Sequence, residues 1–209
     1  MNNYFVILAA GKGKRFNKNK PKQFHQYKNK EVIEHSIIKS VESKLFKKIV
    51  VVTNNFNQFK GKKYLKFIKI IKGGKERSDS SLKALKYLKR YNPLNVFIHD
   101  AARPNFSIKL LKSLKKYLNK NEAVIPYINT YNSVKYTNKN KIVNLKREKI
   151  LLTQTPQCFN FKTLYSLSKN NKTLVTDEAS LFLNNNKKIK FIKGEEKNKK
   201  ITKKTDLNK

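Results

Sequence analysis

The sequence has little of several things, and each shortage excludes a class of protein. It contains one cysteine, Cys158, so no internal disulfide can form, and a reducing cytoplasm is the expected location. No apolar run approaches the length that crosses a bilayer, and the run over 4–10 is too short for a signal peptide. We therefore expect neither a membrane protein nor a disulfide-stapled secreted one.

Acidic residues are also scarce, since 13 Asp and Glu stand against 49 Lys and Arg, for a net charge of +36. Such a charge favours binding to polyanions, and a basic nucleic-acid-binding protein is one alternative for this chain. The lysines, however, are spread along nearly every segment, and asparagine and isoleucine are frequent too. This pattern indicates a coding bias, so we expect no specific nucleic-acid partner and only weak, salt-sensitive attraction.

What is present has the pattern of a single α/β domain over 1–209, a length that suits one core. Short β-branched or apolar runs predict strands at 4–8, 48–53, 67–71, 95–99 and 189–192. Apolar residues at helical spacing predict helices at 32–44, 78–91, 107–118, 162–168 and from 176 onward, with Ser78 and Ser107 as N-caps. The alternation predicts a doubly wound, mostly parallel, Rossmann-like sheet with its sites at the carboxyl ends of the strands.

The segment 127–147 interrupts this alternation. It has no helical period, and β-like pieces at 134–137 and 142–143 flank a turn-forming stretch. We expect a projecting β-hairpin arm, and an exposed hairpin favours contact with a partner. A solvated loop is the alternative.

The first predicted strand runs into small residues and glycines among basic side chains, which is typical of a phosphate-binding loop. Gly11 and Gly13 lack a Cβ, so their backbone can adopt positive φ and turn N–H groups toward an anion. Phe16 stands where the dinucleotide fingerprint needs its third glycine, and the Lys-Ser/Thr of a Walker loop is missing. An ordinary surface turn is the alternative, but the position at the end of a strand favours a site.

Other reactive side chains have simple structural interpretations. The three histidines lie far apart without further ligands at zinc spacing, so no zinc site is expected. We expect His99 to be structural and Cys158 to be a small buried hydrophobe. Four further residues have two interpretations each. Arg77, Asp79 and Glu178 are either site residues or members of ion pairs that brace loops, and Thr176 is either a site residue or the cap of its helix.

Six motifs in chain order resemble the 2-C-methyl-D-erythritol 4-phosphate cytidylyltransferases, a family of nucleotidyltransferases in isoprenoid biosynthesis. The motifs are Ala9-Ala10-Gly11-x-Gly13-x-Arg15, Pro21-Lys22-Gln23, Gly73-Gly74-x-Glu76-Arg77-x-Asp79-Ser80, His99-Asp100-Ala101-Ala102-Arg103-Pro104, Thr155-Pro156-Gln157 and Thr176-Asp177-Glu178-Ala179-Ser180. The first is shared by many sugar-nucleotide transferases, whereas the ordered set is specific. The resemblance implies joining of CTP and the sugar-alcohol phosphate, with release of pyrophosphate.

The resemblance also implies roles for individual residues. Catalytic contacts to the CTP phosphates are implied for Arg15, Lys22 and Lys200. Nucleotide contacts are implied for Ala9, Ala10, Gly11, Gly13, Gly74, Lys75 and Ser80. Contacts to the methylerythritol phosphate are implied for Asp100, Arg103, Thr155 and Thr176, and for Ser133 and Arg147 across a homodimer formed by the arm. Asp100 is implied as the ligand of Mg²⁺ or another divalent cation.

Two alternatives lie close to this interpretation. A ribitol 5-phosphate cytidylyltransferase shares most of these motifs and differs in its acceptor pocket. An inactive homologue is the other alternative, because Lys75 and Lys197 stand where the family commonly has acidic residues.

Overall fold

The computed structural model describes residues 2–11, 16, 20–138 and 141–208. The first half of the chain forms β1 (Asn3–Leu8), β2 (Gln26–Tyr27), β3 (Lys30–Glu31), α1 (Val32–Glu42), β4 (Lys48–Thr53), β5 (Ile68–Lys72), α2 (Arg77–Lys89), β6 (Asn95–Asp100) and α3 (Ile108–Leu118). The second half forms β7 (Ala123–Asn129), β8 (Val134–Asn138), β9 (Lys141–Leu145), β10 (Leu151–Thr153), β11 (Gln157–Asn160), α4 (Phe161–Asn170), α5 (Glu178–Asn184) and β12 (Lys190–Lys193). Short 3-10 turns occur in several of the connections.

The central sheet has eight strands in the order β10-β7-β11-β6-β1-β4-β5, and β12 also pairs with β7. β1 runs parallel to both β4 and β6, β4 is parallel to β5, and β7 is parallel to β12. β10 and β11 are the antiparallel members. The predicted α/β fold with a mostly parallel sheet is confirmed.

Helices cover both faces of the sheet, which explains why its central strands are apolar on both sides. Phe5 and Ile7 of β1 point into a core shared with α1 and α3. Tyr4 and Val6 point into the opposite core, which α2, α4 and α5 complete. Successive side chains of β1 therefore point to opposite faces of the sheet and pack into two separate cores.

The start of α2 differs from the sequence-based expectation. The helix begins at Arg77 and its N-cap is Glu76, so the prediction of Ser78 as the cap was wrong. The Glu76 side chain accepts from the third helical N–H, and the side chain of Asp79 accepts from the backbone N–H of Glu76. This reciprocal capping box satisfies two backbone donors at once, which a single serine cannot do.

Of the two other capping predictions, one is confirmed and one is wrong. Ser107 caps α3 as predicted, and its hydroxyl accepts from Leu110 N at 3.0 Å. α5 is capped by Asp177, which accepts from Ser180 N at 3.1 Å, so the alternative of Thr176 as the cap was wrong.

The arm is a hairpin separate from the central sheet. β8 and β9 pair antiparallel, with Val134 opposite Leu145, and residues 139–140 between them lie outside the described part. Its apolar side chains face outward, with Tyr136 exposed by 53% and Ile142 by 72%. The hairpin, rather than a solvated loop, is thus confirmed. Among the described residues no helix is long and apolar enough to span a bilayer.

Candidate active site

The register of the sheet brings four strand ends to one edge. Leu8 of β1 lies opposite Asp100 of β6 and Val52 of β4. Beyond the strands, Ala9 N donates to Val52 O at 2.8 Å, and Gly73 N donates to Thr53 O at 3.2 Å. The loops after β1, β5 and β6 therefore border one space.

That space is a cleft of about 1030 Å³. Its lining includes nine of the predicted site residues: Ala9, Ala10, Gly11, Lys22, Gly74, Lys75, Ser80, Asp100 and Lys200. Five others are not part of this lining: Arg103, Ser133, Arg147, Thr155 and Thr176. Gly13 and Arg15 lie outside the described residues. Positions as far apart as 9 and 200 thus meet around one cavity.

The loop after β1 is held from below by Gln23. The buried amide of Gln23 donates to Ala9 O at 2.6 Å and to Gly11 O at 3.1 Å. Gly11 does not have the positive φ that its residue type permits, since Gly61 is the one described glycine with positive φ. A Cβ on Gly11 would meet none of the described residues within 4 Å.

The loop after β5 needs its glycines for close packing. A Cβ on Gly73 would overlap the Cβ of Ala10, and one on Gly74 would overlap the Cβ of Asp79. The Ser80 hydroxyl accepts from Gly74 N at 3.0 Å and donates to Glu76 O at 3.1 Å. Ser80 therefore fixes the loop, and its single proton is already used.

Two residues that the sequence analysis missed also hold this loop. Asn54 Oδ1 accepts from Gly73 N at 3.1 Å, and Lys83 Nζ donates to Gly73 O at 2.8 Å. Both line the cleft. Asn54 follows the end of β4, so the rule that sites gather at the carboxyl ends of parallel strands was a signal for it.

Asp100 lies at the centre of a charge cluster. Its Oδ1 accepts from Arg77 Nε at 3.0 Å, and its Oδ2 accepts from Lys200 Nζ at 2.7 Å. Arg77 also donates from Nη1 and Nη2 to the carboxylate of Glu178, at 2.9 Å each. The ion pair between Arg77 and Glu178 agrees with the bracing alternative, although Arg77 also lines the cleft, and the carboxylate of Asp79 takes part in the α2 capping box.

The electrostatics keep Asp100 ionised. Burial raises the pKa of Asp100, but the charges of Arg77 and Lys200 outweigh burial and hold this pKa well below its ordinary value. For Arg77, burial lowers the pKa, and Glu178 and Asp100 more than compensate, so the pKa rises overall. The cleft therefore contains a fixed carboxylate flanked by two cations.

The backbone behind Asp100 is set by Thr155 and His99. Thr155 Oγ1 accepts from Asp100 N at 3.0 Å and lies 3.0 Å from His99 Nδ1. The other ring nitrogen, Nε2, lies 3.1 Å from the hydroxyl of Ser36. Burial lowers the pKa of His99 to about 3, so the ring is neutral. His99 is structural, as expected, and the Thr155 hydroxyl is engaged within the protein.

Arg103 lies next to this group, behind the cleft. Its Nη1 donates to Asn198 O at 3.0 Å and its Nη2 donates to Thr153 O at 3.4 Å. Burial lowers the pKa of Arg103, and its buried Nε has no hydrogen-bond partner among the described residues. Thr176 is exposed and directly precedes Asp177, whose Oδ2 accepts from Thr153 Oγ1 at 3.3 Å.

Comparison with known proteins agrees with this geometry. The family model described as 2-C-methyl-D-erythritol 4-phosphate cytidylyltransferase matches residues 4–209. The chain belongs to this family. A 2-C-methyl-D-erythritol 4-phosphate cytidylyltransferase of Fusobacterium nucleatum is 34% identical over 97% of this chain and 93% of the relative. The resemblance inferred from the motifs is confirmed.

Some relatives are longer than this chain. The bifunctional enzyme IspD/IspF of Pelagibacter ubique is 50% identical over 99% of the chain, which spans 56% of that relative. The crystal structure of the Francisella tularensis 2-C-methyl-D-erythritol 4-phosphate cytidylyltransferase is similar with a TM-score of 0.85 and 32% identity. That match covers 100% of this chain and 97% of the Francisella chain.

The two arm residues implied by the family resemblance lie on the exposed hairpin region. Ser133 Oγ accepts from Lys135 Nζ at 3.0 Å. Arg147 Nη1 donates to Tyr131 O at 2.9 Å, and its Nε pairs with Glu148 at 3.2 Å. These contacts are local to the arm, so the described chain does not bring either side chain into its own cleft.

Cys158 has no part in the site. It is fully buried in β11, with its thiol against Val124 O at 3.5 Å, and burial raises the pKa of the thiol well above its ordinary value. The expectation of a small buried hydrophobe is confirmed.

Proposed function

We propose that the chain is a cytidylyltransferase that joins CTP to 2-C-methyl-D-erythritol 4-phosphate. An oxygen of the acceptor phosphate bonds to the α-phosphorus of CTP, and the bond from that phosphorus to the bridging oxygen of pyrophosphate breaks. The products are 4-diphosphocytidyl-2-C-methyl-D-erythritol and pyrophosphate. The observation that carries the proposal is the cleft itself, where lysines and an ionised Asp100 line the same cavity as two glycine loops.

The reaction needs charge neutralisation more than a base, because the acceptor phosphate is already a nucleophile and pyrophosphate a fair leaving group. Lys22 and Lys200 supply positive charge from opposite ends of the chain, and we assign them to the CTP phosphates together with Arg15. Both lysines line the cleft, and Lys22 Nζ donates to the carbonyl of Ile201, the residue after Lys200. Fixed cations of this kind stabilise the charge that develops at the α-phosphate.

We assign the cytidine half of CTP to the two loops that meet across the cleft. Ala9, Ala10 and Gly11 line one side, and Gly74, Lys75 and Ser80 line the other; Gly13, outside the described residues, is assigned with the first loop. The packing of Gly73 against Ala10 supports this assignment, because it sets the distance between the two loops, and the packing of Gly74 against Asp79 fixes the second loop on α2.

The acceptor is assigned to the side of Asp100 away from the glycine loops, with contacts from Asp100, Arg103, Thr155 and Thr176. The charge of Arg103 supports this, since it acts on Asp100 from behind the cleft and helps to lower the pKa of that carboxyl. Thr155 contributes through its position behind Asp100, because its hydroxyl already contacts the backbone N–H of that residue.

A divalent cation such as Mg²⁺ would neutralise the phosphates when bound. Within the described residues no group of three or more His, Cys, Asp or Glu side chains is arranged to hold a metal. Asp100 is ionised, and its Oδ2 contacts Lys200, whose side chain is 40% exposed. These residues fit an ion held by one carboxylate and by the nucleotide's own phosphates.

We further propose a homodimer formed through the arm, with Ser133 and Arg147 reaching the acceptor site of the second copy. The outward apolar side chains of the arm support this. Ile142→Lys should lower self-association measured by sedimentation velocity across a concentration series. Lys116→Ala on α3 is a surface control. Unchanged sedimentation of Ile142→Lys would contradict the arm as the interface.

We place the reaction in the cytoplasm, in keeping with a single buried thiol, and assign no specific nucleic-acid partner.

The proposed function is tested by measuring pyrophosphate release from CTP in the presence of Mg²⁺, with methylerythritol 4-phosphate, with ribitol 5-phosphate and with no acceptor. We expect release with methylerythritol phosphate and its loss in Asp100→Ala. Release with ribitol phosphate and not with methylerythritol phosphate would show that the acceptor is assigned wrongly. Release with neither acceptor would contradict the proposal.

A further inference from the structure

One segment contacts three charged residues in or next to the site: Lys22, Asp100 and Arg103. Residues 194–202, here called the strap, follow β12 and carry Lys200. Gly194 N donates to Tyr127 O at 2.7 Å, and Ile201 N donates to Ala102 O at 2.8 Å. Lys22 Nζ donates to Ile201 O at 2.7 Å. The position of the strap therefore sets where both lysines can place their charge.

The strap has no regular secondary structure, and buried side-chain amides take the place of a strand partner. Gln154 donates from Nε2 to Glu195 O at 2.8 Å and accepts at Oε1 from Glu195 N at 3.1 Å. A Cβ on Gly194 would overlap Gln154 Oε1. Gln154 thus fixes the start of the strap.

Asn198 fixes the middle of the strap and is fully buried. Its Nδ2 donates to Thr155 O at 2.9 Å, and its own backbone carbonyl accepts from Arg103 Nη1 at 3.0 Å. Thr155 in turn holds the backbone N–H of Asp100. Asn198 therefore lies where the supports of Arg103, Asp100 and the strap meet.

We propose that Asn198 is a positioning residue, whose buried amide holds the strap so that Lys200 lies against Asp100 and Arg103 faces the acceptor. A lysine side chain has four rotatable bonds, so its own contact with Asp100 does not fix its backbone. Displacement of a positioning group by about 1 Å can cost on the order of 10² in rate. The kinetic part of the inference rests on the proposed function.

The test compares two buried asparagines that each donate to a backbone carbonyl. Asn3 donates from Nδ2 to Leu45 O at 3.2 Å and is 3% exposed, but it lies at the amino end of β1, away from the cleft. Asn198→Leu and Asn3→Leu each remove one such contact, and Asn3→Leu also removes the hydrogen bond that Asn95 Nδ2 donates to Asn3 Oδ1 at 3.0 Å, so it is the harsher change to the buried polar groups. Their melting temperatures show how far each is destabilised, and Asn198→Ser replaces Asn198→Leu if the latter does not fold.

Kinetics provide the first readout. We expect kcat of Asn198→Leu to fall by about 10²-fold and KM for methylerythritol phosphate to rise, since Lys200 and Arg103 both shift. Binding of cytidine, which has no phosphate, should change less than threefold, because the loops assigned to cytidine are untouched. Asn3→Leu should keep kcat and both affinities at temperatures where it is folded. Equal kinetic losses in the two variants would overturn the positioning role.

Chemical labelling provides a second readout that does not depend on catalysis. In the wild-type protein the ion pair with Asp100 should slow acylation of Lys200 by acetic anhydride, read peptide by peptide with mass spectrometry. We expect acylation of Lys200 to rise several-fold in Asn198→Leu and to stay unchanged in Asn3→Leu. Unchanged labelling in both would overturn the inference even if the wild-type enzyme is active. Inactive wild-type protein with raised labelling would instead overturn the proposed function and keep the positioning role.

Discussion

The cleft and the arm both contain residues implied by the family resemblance, yet they are held in opposite ways. Asp100 is contacted by Arg77, Thr155 and Lys200, which lie 23, 55 and 100 positions away in sequence. The arm residue Arg147 contacts Glu148 next to it and Tyr131, 16 positions away. The fold of the chain thus builds the cleft from segments that are distant in sequence, whereas the described contacts of Arg147 are local to the arm.

Among variants of the cleft and the arm, Arg77→Met is expected to have the largest effect, which is on the free energy of unfolding. Glu178 is 2% exposed at its side chain and would lose both donors, and Asp100 would keep only Lys200. Breaking a buried pair by removing one partner costs about 3–5 kcal/mol in unfolding free energy. Urea denaturation measures it. A loss below 1 kcal/mol would mean that the cluster does not support the fold.

Lys22→Ala should affect activity more than stability. We expect a fall in kcat on the order of 10²–10³, because one preorganised cation at the phosphates is lost. Lys116→Ala, on the exposed face of α3, removes the same charge far from the cleft and should keep full turnover. Near-normal turnover of Lys22→Ala would remove that residue from the site.

A smaller effect comes from the neutral ring of His99. The unfolded chain binds a proton there below about pH 6.5, whereas the folded chain binds one only near pH 3. The stability that this ring contributes is therefore complete above pH 6.5 and is lost as pH falls toward 3. When the pH falls from 7 to 5.5, the free energy of unfolding of the metal-free wild-type protein should decrease by about 1 kcal/mol more than that of His99→Gln. Parallel pH profiles of the two unfolding free energies would contradict this.

The smallest stability change is expected from Arg147→Met in the arm. Its ion pair with Glu148 joins side chains that are 54% and 72% exposed, so solvent screens the pair and it contributes little to stability. Urea denaturation of the variant should overlay the wild type, whereas KM for methylerythritol phosphate should rise if the arm reaches a second copy. A large loss of stability would show that the arm supports its own chain.

Local pattern was enough for most of the fold. β1, β4 and β6 were predictable because runs of β-branched and aromatic residues of this length fit a strand covered on both faces. The N-cap of α3 was predictable from Ser107 alone, but that of α2 was not. At α2, two acidic side chains cap each other's backbone, and only their joint geometry excludes Ser78.

Within the site, nine of the residues that the motifs pointed to line the cleft and five do not, and the motifs missed residues that hold the lining in place. Gln23 was seen only as part of a motif, and Asn54 and Lys83 were not singled out. Their roles depend on contacts to backbone atoms of other loops, which no side-chain pattern reveals.

The sequence by itself determined the class of fold, the hairpin and the family, because periodicity and ordered motifs are local properties. Only the tertiary structure decided three contacts: Arg77 bridges Asp100 and Glu178, Thr155 contacts the backbone of Asp100, and Asn198 joins the strap to Thr155. Each contact joins polar atoms from segments that are distant in sequence. Because an unpaired buried polar group is costly, the pairing of these groups depends on how the whole protein packs.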